Sequence, residues 1–471
     1  MFSWVKTLDA FFERSKIRYL GLGLLLAWVY CTWFSVGIFP AGDEAAHTTL
    51  RDSLAFSAIG LVALVFRRNK EKPLGPSAIL CAAIIVTATT FAFFVFDNPA
   101  VLLVASALGG LASALLWVGW GEIFCRIDPT ITESCIPSSL LAFVVASLVV
   151  YLLPAPVSGI LSALFPLLSC VMLLLCNSTQ PEDFSFQTPR EPFSSVFPSL
   201  VKLALCSMVC SIATGFVTTS VTPEITLFDA SGYLPAYIAG GVVAGAVSLF
   251  TIHHASRLDF SSLYEWAIPL IVASLCCYAM DSEVLNTIAL VLACSAALYA
   301  EVLFLVIFAR ITAIGFCLPS ETFGIFRAAA QLGFMLSGIL SMWVVASGIQ
   351  HLPICLVLIC ISVVMLPLFM HLQRRFEAAP IQEESKSALP AHNTSTPQDE
   401  ETDAISRIVA DFKLSAREAE VLGYLGKGRS VPYMRETMVL SKSTIETHIR
   451  HIYSKTGVHS KQELLDLIET Y

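Results

Sequence analysis

Near the C-terminus, Ser441, Thr444, Ile445, His448, Ile452, Lys455 and Gly457 stand at offsets that make one short amphipathic helix. Ile445, Ile449 and Ile452 recur at i, i+4 and i+7 and form its apolar face, while Ser443, Thr447, Arg450 and Ser454 lie opposite. Hydroxyls and a guanidinium on the outer face of a helix are equipment for hydrogen bonding to phosphate oxygens and to base edges. A second kind of chemistry is offered by Glu122 and Glu301, two carboxylates inside long apolar runs. They sit in the matching contexts Trp120-Gly121-Glu122-Ile123-Phe124 and Tyr299-Ala300-Glu301-Val302-Leu303, each aromatic, small, Glu, aliphatic, apolar. Ionisable groups at membrane depth are functional candidates by default.

The elements that position the C-terminal helix can be read from their caps. Ser415 with Glu418 predicts a capping box, which starts a helix whose inward face includes Val421, Leu422 and Leu425. Gly426 and Gly428 end it. A second helix is expected over 432–438, with Pro432 in its first turn, where a missing N–H is harmless. Ser441 then caps the helix described above and Gly457 closes it, and Ser460 with Glu463 opens a fourth. Two short helices joined by a tight turn, the second with a small polar outer face, have the geometry that enters a major groove.

With those residues in place, 414–467 resembles the LuxR-type helix-turn-helix. The resemblance implies double-stranded DNA as partner and a homodimer as the bound form. It puts base-facing positions at Glu446, Thr447 and Arg450, and phosphate contacts at Lys442, Ser443, Thr444 and Lys455. Two positions depart from the pattern, since the family often has Lys where Glu446 stands and Ala where Arg435 stands. A carboxylate favours a cytosine amino group and repels phosphate, so an uncommon target sequence is implied. No receiver-like domain precedes the segment, which removes a phospho-aspartate switch as its input.

The rest of the chain is built for lipid. Of 471 residues, 56% are hydrophobic and only 14% charged, against about a quarter charged in soluble domains, and the mean hydropathy is +0.74. About twelve apolar runs approach spanning length: 19–39, 50–66, 77–96, 101–124, 138–153, 157–175, 200–219, 233–252, 266–280, 285–308, 326–345 and 352–370. The second, fifth and ninth are short. The first is too long for a signal-peptide core and is followed by no small-residue cleavage site, so it is expected to be retained.

Basic residues set the orientation. If the N-terminus is cytoplasmic, that side receives Lys6, Arg14, Lys16, Arg18, Arg67, Arg68, Lys70, Lys72, Arg126, Arg190, Lys202, Arg257, Arg310, Arg327, Arg374 and Arg375. The other side receives Arg51 alone. By the positive-inside rule both termini face the cytoplasm of a bacterial inner membrane.

Two six-span halves joined by the polar interval 176–198, with both ends inside, resemble the major facilitator superfamily (MFS). Gly60 and the run Arg67-Arg68-Asn69-Lys70 fit that family's loop between the second and third spans, but its Asp is missing, which counts against active transport. The expected architecture is therefore all-α. A polytopic MFS-like bundle over 1–376, with halves 17–176 and 200–376, is followed by a flexible linker over 377–403 and a four-helix LuxR-type domain over 404–471.

Two readings stand for the carboxylates. Glu122 and Glu301 bind a small-molecule ligand, or Glu122 pairs with Arg126 and Glu301 with Arg310 or Arg327 as structural ion pairs near the membrane face. The 14 cysteines, such as Cys81, Cys170, Cys206, Cys294 and Cys360, show no metal-ligand spacing and read as small apolar packing residues. No nucleophile with a base and no phosphate-binding Gly loop is present, so no enzyme, metal or cofactor is expected. Three functional classes follow: a one-component regulator that senses a small molecule through the bundle, a working transporter that also regulates transcription, or a regulator that the bundle merely anchors.

Overall fold

The computed structural model describes residues 17–34, 43–178, 186, 189, 192–221, 234–255, 263–313, 315–365, 367–368, 407–409, 411–412, 414–426, 442–458, 463–464 and 467. Contacts divide the chain into two compact units, Met1–Ala379 and Pro380–Tyr471. The linker expected over 377–403, the second helix of the C-terminal domain, and Arg435 and Ser460 lie outside the described residues.

In the first unit a short 3-10 turn, Ile17–Leu20, leads into α1 (Gly21–Phe34). There follow α2 (Asp43–Val65), α3 (Pro76–Val95), α4 (Pro99–Phe124), α5 (Pro129–Leu152) and α6 (Ala155–Asn177). The second half holds α7 (Phe193–Ser220), α8 (Leu234–Ala255), α9 (Ile268–Ala279, entered through a π-turn), α10 (Glu283–Ala313), α11 (Pro319–Ser347) and α12 (His351–Met365). Among the described residues, ten helices are long and apolar enough to cross a membrane. The segments Glu265–Ala279 and His351–Met365 are shorter apolar helices. The second and fifth spans, short in the sequence, are full-length in the fold, because Ala45–Val65 and Ile131–Leu152 recruit polar residues at their starts.

Prolines set several starts. Pro76, Pro99 and Pro319 each stand in the first turn, where the ring fixes φ and no helical donor is lost. The bundle is apolar both inside and on its flank. Trp120, Phe143, Phe216 and Phe304 fill its interior, and Ile84, Val145, Val171 and Val364 stand exposed on its flank as a lipid-facing surface does. Within the first half α2 packs on α4 and α1 on α5 and α6; within the second α11 packs on α7 and α8 on α10. The halves meet along α2 with α11 and along α5 with α8. Small residues allow the close approaches: a Cβ at Gly121 on α4 would lie 2.5 Å from the Phe323 ring of α11.

In the second unit, α13 (Ala416–Gly426) and α14 (Lys442–Thr456) pack through Val421, Leu422, Leu425 and Ile452, with Ile449 and Tyr453 partly buried beside them. The capping box is reciprocal. The Ser415 N–H donates to Glu418 Oε2 (2.7 Å), and the Glu418 N–H donates to Ser415 Oγ (3.3 Å). Gly457 adopts φ +76 just past α14, the left-handed conformation in which a helix commonly ends and which glycine takes without strain.

Candidate functional sites

Two sites emerge, one in each unit. In the bundle, a cavity of about 80 Å3 lies between the halves, bounded by α1 and α2 on one side and by α7, α8, α10 and α11 on the other. Its polar centre is an ion pair between Arg327 Nη1 on α11 and Glu301 Oε1 on α10. The Arg327 guanidinium also stacks on Trp117, 3.6 Å from the ring centroid. One turn along α11 from Arg327, Gln331 faces the same space. Tyr30, Phe34, Tyr237 and Phe304 supply aromatic walls, and Ser207, Ser211 and Thr214 of α7 supply hydroxyls. A second cavity, of about 430 Å3, shares Leu50, Leu54 and Phe334 with the first and reaches His47, Arg51 and Met342.

Arg327 is not a loop residue, as its placement among the basic flanks had it. Helix α11 begins at Pro319, so Arg327 stands two turns inside and is 9% exposed. Leu318 precedes that start, and its N–H donates to Glu321 Oε2 (3.1 Å), which fixes the helix end before the apolar run begins. Of the two arginines offered as partners for Glu301, the structure uses Arg327. Arg310 in the last turn of α10 instead pairs with Glu133 of α5.

Glu122 is not brought to the cavity. It sits in the last turn of α4, accepts a hydrogen bond from the Leu74 N–H (2.8 Å), and lies 3.5 Å from Arg126 and 3.9 Å from Arg67. The matching sequence contexts therefore lie at different depths, because α4 stops at Phe124 whereas α10 runs past Glu301 to Ala313. Glu122 belongs to a polar cluster at the basic end of the bundle. There Lys70 Nζ donates to Glu321 Oε1 (2.7 Å), and Arg126 Nη1 donates to Asn177 Oδ1 (3.0 Å). Lys70–Glu321 and Arg310–Glu133 each join one half to the other. Sequence reading missed Gln331, Glu133 and Glu321; an Arg and a Gln four residues apart in the otherwise apolar stretch 323–336 were the available signal.

In the C-terminal unit, Thr447 and Arg450 project from α14 as exposed side chains and Thr444 is half-buried. Lys442, Ser443 and Glu446 lie on the same helix, with side chains outside the described residues. Lys455, the expected phosphate contact at the end of α14, is partly exposed and also bonds within the domain. Its Nζ donates to Glu418 Oε2 at 2.6 Å, with His451 Nδ1 3.7 Å from the other carboxylate oxygen. The Lys455 hydrogen bond, helped by the Ser415 N–H, holds the Glu418 carboxyl down at about 2. Among the described residues no group of His, Cys, Asp and Glu is arranged to hold a metal ion.

Comparison with known proteins gives each unit a counterpart. Residues 413–468 match the family described as bacterial regulatory proteins, luxR family. The Fimbriae Z protein of Salmonella typhimurium is 43% identical over 61 residues, 13% of this chain and 29% of that protein. The probable transcriptional regulatory protein NarL of Mycobacterium tuberculosis is 40% identical over 48 residues, 10% of this chain and 22% of that protein. The chain thus spans under a third of the length of these relatives. The bundle is similar in fold to the human organic anion transporter MFSD10, with a TM-score of 0.54 at 14% identity over 76% of this chain and 96% of that one. It is also similar to a bacterial homologue of the iron transporter ferroportin in an outward-facing state, with a TM-score of 0.52 at 15% identity over 77% and 100%.

Proposed function

Starting from a luxR-family helix-turn-helix domain joined to an MFS-like helical bundle, we propose that the chain is a membrane-bound one-component transcription regulator. A small molecule held between the halves biases how the C-terminal domain binds DNA. The observation that carries this reading is the Glu301–Arg327 pair, which lines the inter-half cavity instead of sitting at a helix end. Desolvating two charges is costly, and apolar side chains of the same size would pack at least as well. A bundle that only anchored the domain would have no need of them.

The lever is geometric. Glu301 and Arg327 come from adjacent helices of one half, while Trp117, under the guanidinium, comes from the other. A ligand that contacts both halves binds one arrangement of them better than another, and that difference is all that a conformational shift requires. In the proposed topology both termini and the DNA-binding domain are cytoplasmic, on the side of Arg67, Lys70 and Arg126 of a bacterial inner membrane. On DNA the domain acts as a homodimer, with Glu446, Thr447 and Arg450 toward base edges and Lys442, Ser443 and Thr444 toward phosphates. Lys455, partly exposed beside Glu418, adds a further phosphate contact.

The test compares transcriptional response with membrane abundance in Glu301→Gln. Loss of response beyond any fall in abundance is expected. A variant that responds fully per molecule would overturn the reading.

A further inference from the structure

The Glu301–Arg327 pair makes the cavity neutral as a whole, and this restricts what it can hold. A cationic ligand at Glu301 would have to displace Arg327, and an anionic one at Arg327 would displace Glu301. Either exchange leaves a desolvated charge without its partner, the costly outcome for a buried pair.

Two polar atoms beside the pair are still unsatisfied. Among the described residues neither Arg327 Nε, a donor, nor Gln331 Oε1, an acceptor, has a hydrogen-bond partner, and both are buried. Gln331 is 5% exposed and Arg327 9%. Buried polar atoms are rarely left so, and here one donor and one acceptor stand one turn apart on the same face of α11. Their complement is a planar edge that carries an acceptor next to a donor. Around them the walls are aromatic: the Tyr30 and Tyr237 rings are 4.4 Å apart, and Phe34 lies 4.8 Å from Tyr237. The inner chamber, about 80 Å3, admits only a small head group, and the outer one, about 430 Å3 beyond Phe334, has room for a larger body.

We propose that the cavity binds an uncharged aromatic carboxamide or lactam, with its carbonyl facing Arg327 Nε, its N–H facing Gln331 Oε1, and the Glu301–Arg327 pair left intact. This rests on the reading of the cavity as the sensing site, but its test reads binding alone and not transcription.

Full-length protein in lipid nanodiscs is melted with increasing benzamide, benzoate or benzamidine, which share a ring and differ in charge. A ligand that binds only the folded state raises the melting temperature with concentration. Benzamide is expected to do so, and the anion and the cation are not. Gln331→Leu removes an unsatisfied buried acceptor, so its unliganded melting temperature should hold or rise, while its affinity for benzamide falls about tenfold. Gln331→Met serves as a second variant with the same expectation. The proposal is overturned if benzamide gives no shift, if a charged member gives the larger one, or if both Gln331 variants keep the full benzamide effect. A charged member that binds and loses its effect in Glu301→Gln would remove only the ligand class. The sensing reading would fall separately, on a transcriptional response that survives loss of the cavity's polar groups.

Discussion

Lys455 Nζ lies 2.6 Å from Glu418 Oε2, so the end of α14 is tied to the first turn of α13 by a charge-assisted bond. Glu418 also caps its own helix through the Ser415 N–H, and one carboxylate therefore serves both helices. Lys455→Met should lower the stability of the C-terminal unit by about 1 kcal/mol, a modest loss because the lysine is partly exposed. Glu418→Gln should cost more, since it weakens the cap as well. Thermal melts of the Pro380–Tyr471 unit measure both, and equal melting temperatures for all three proteins would contradict the assignment.

The same bond gives a pH dependence with a definite sign. Glu418 is held at about 2, below the ordinary carboxylate value of 4.5. Its contribution is fully present above 4.5 and is lost as the pH falls toward 2. The melting temperature of the C-terminal unit should fall across that window, and Glu418→Gln should flatten the fall.

Arg450 and Lys442 separate sequence reading from simple attraction to DNA. Arg450→Ala should cost about 1–3 kcal/mol on a selected duplex and blur discrimination at one base pair. Lys442→Ala should weaken binding to every duplex alike and reduce the salt slope by about one. Binding curves of the artificially dimerised C-terminal unit at several salt concentrations decide between them. If Arg450→Ala changes neither affinity nor specificity, the recognition face has been placed wrongly.

At the basic end of the bundle, Lys70–Glu321 and Arg310–Glu133 hold the halves together, and Phe323 presses on Gly121. Lys70→Met should loosen this end and raise maleimide labelling of Cys317, which is 4% exposed just before α11. Gly121→Val should raise it further, because even a Cβ there would meet the Phe323 ring at 2.5 Å. Labelling resolved by peptide mass spectrometry should show both increases. Unchanged labelling in both variants would mean that these contacts do not close the end.

What was legible in the sequence followed from local rules. Apolar run length gave the spans, and the Ser415–Glu418 spacing gave the start of α13. Gly457 gave the end of α14. The two carboxylates were legible as unusual, but their surroundings were not. Glu122 and Glu301 share a local context, and depth is set by where each helix ends, which their neighbours do not encode. Arg327 looked like a flank because the apolar run starts at Phe326, whereas the helix starts at Pro319. Lys455 matched a phosphate-binding position, and only the fold shows that Glu418, far away in sequence, reaches it. Pairing across the chain is tertiary information, which local sequence patterns do not carry.

Control of DNA-dependent output by the polar centre of the cavity is checked by replacing both partners at once, as Glu301→Leu with Arg327→Met. Removing the pair together avoids a stranded charge, so membrane abundance should stay near wild type. Transcription from promoters that the full-length protein occupies is then followed in cells across a panel of small-molecule supplements. The full-length double variant should still occupy target DNA, with output that no longer changes across the panel. A double variant at wild-type abundance whose output follows the supplements as the wild type does would contradict that control.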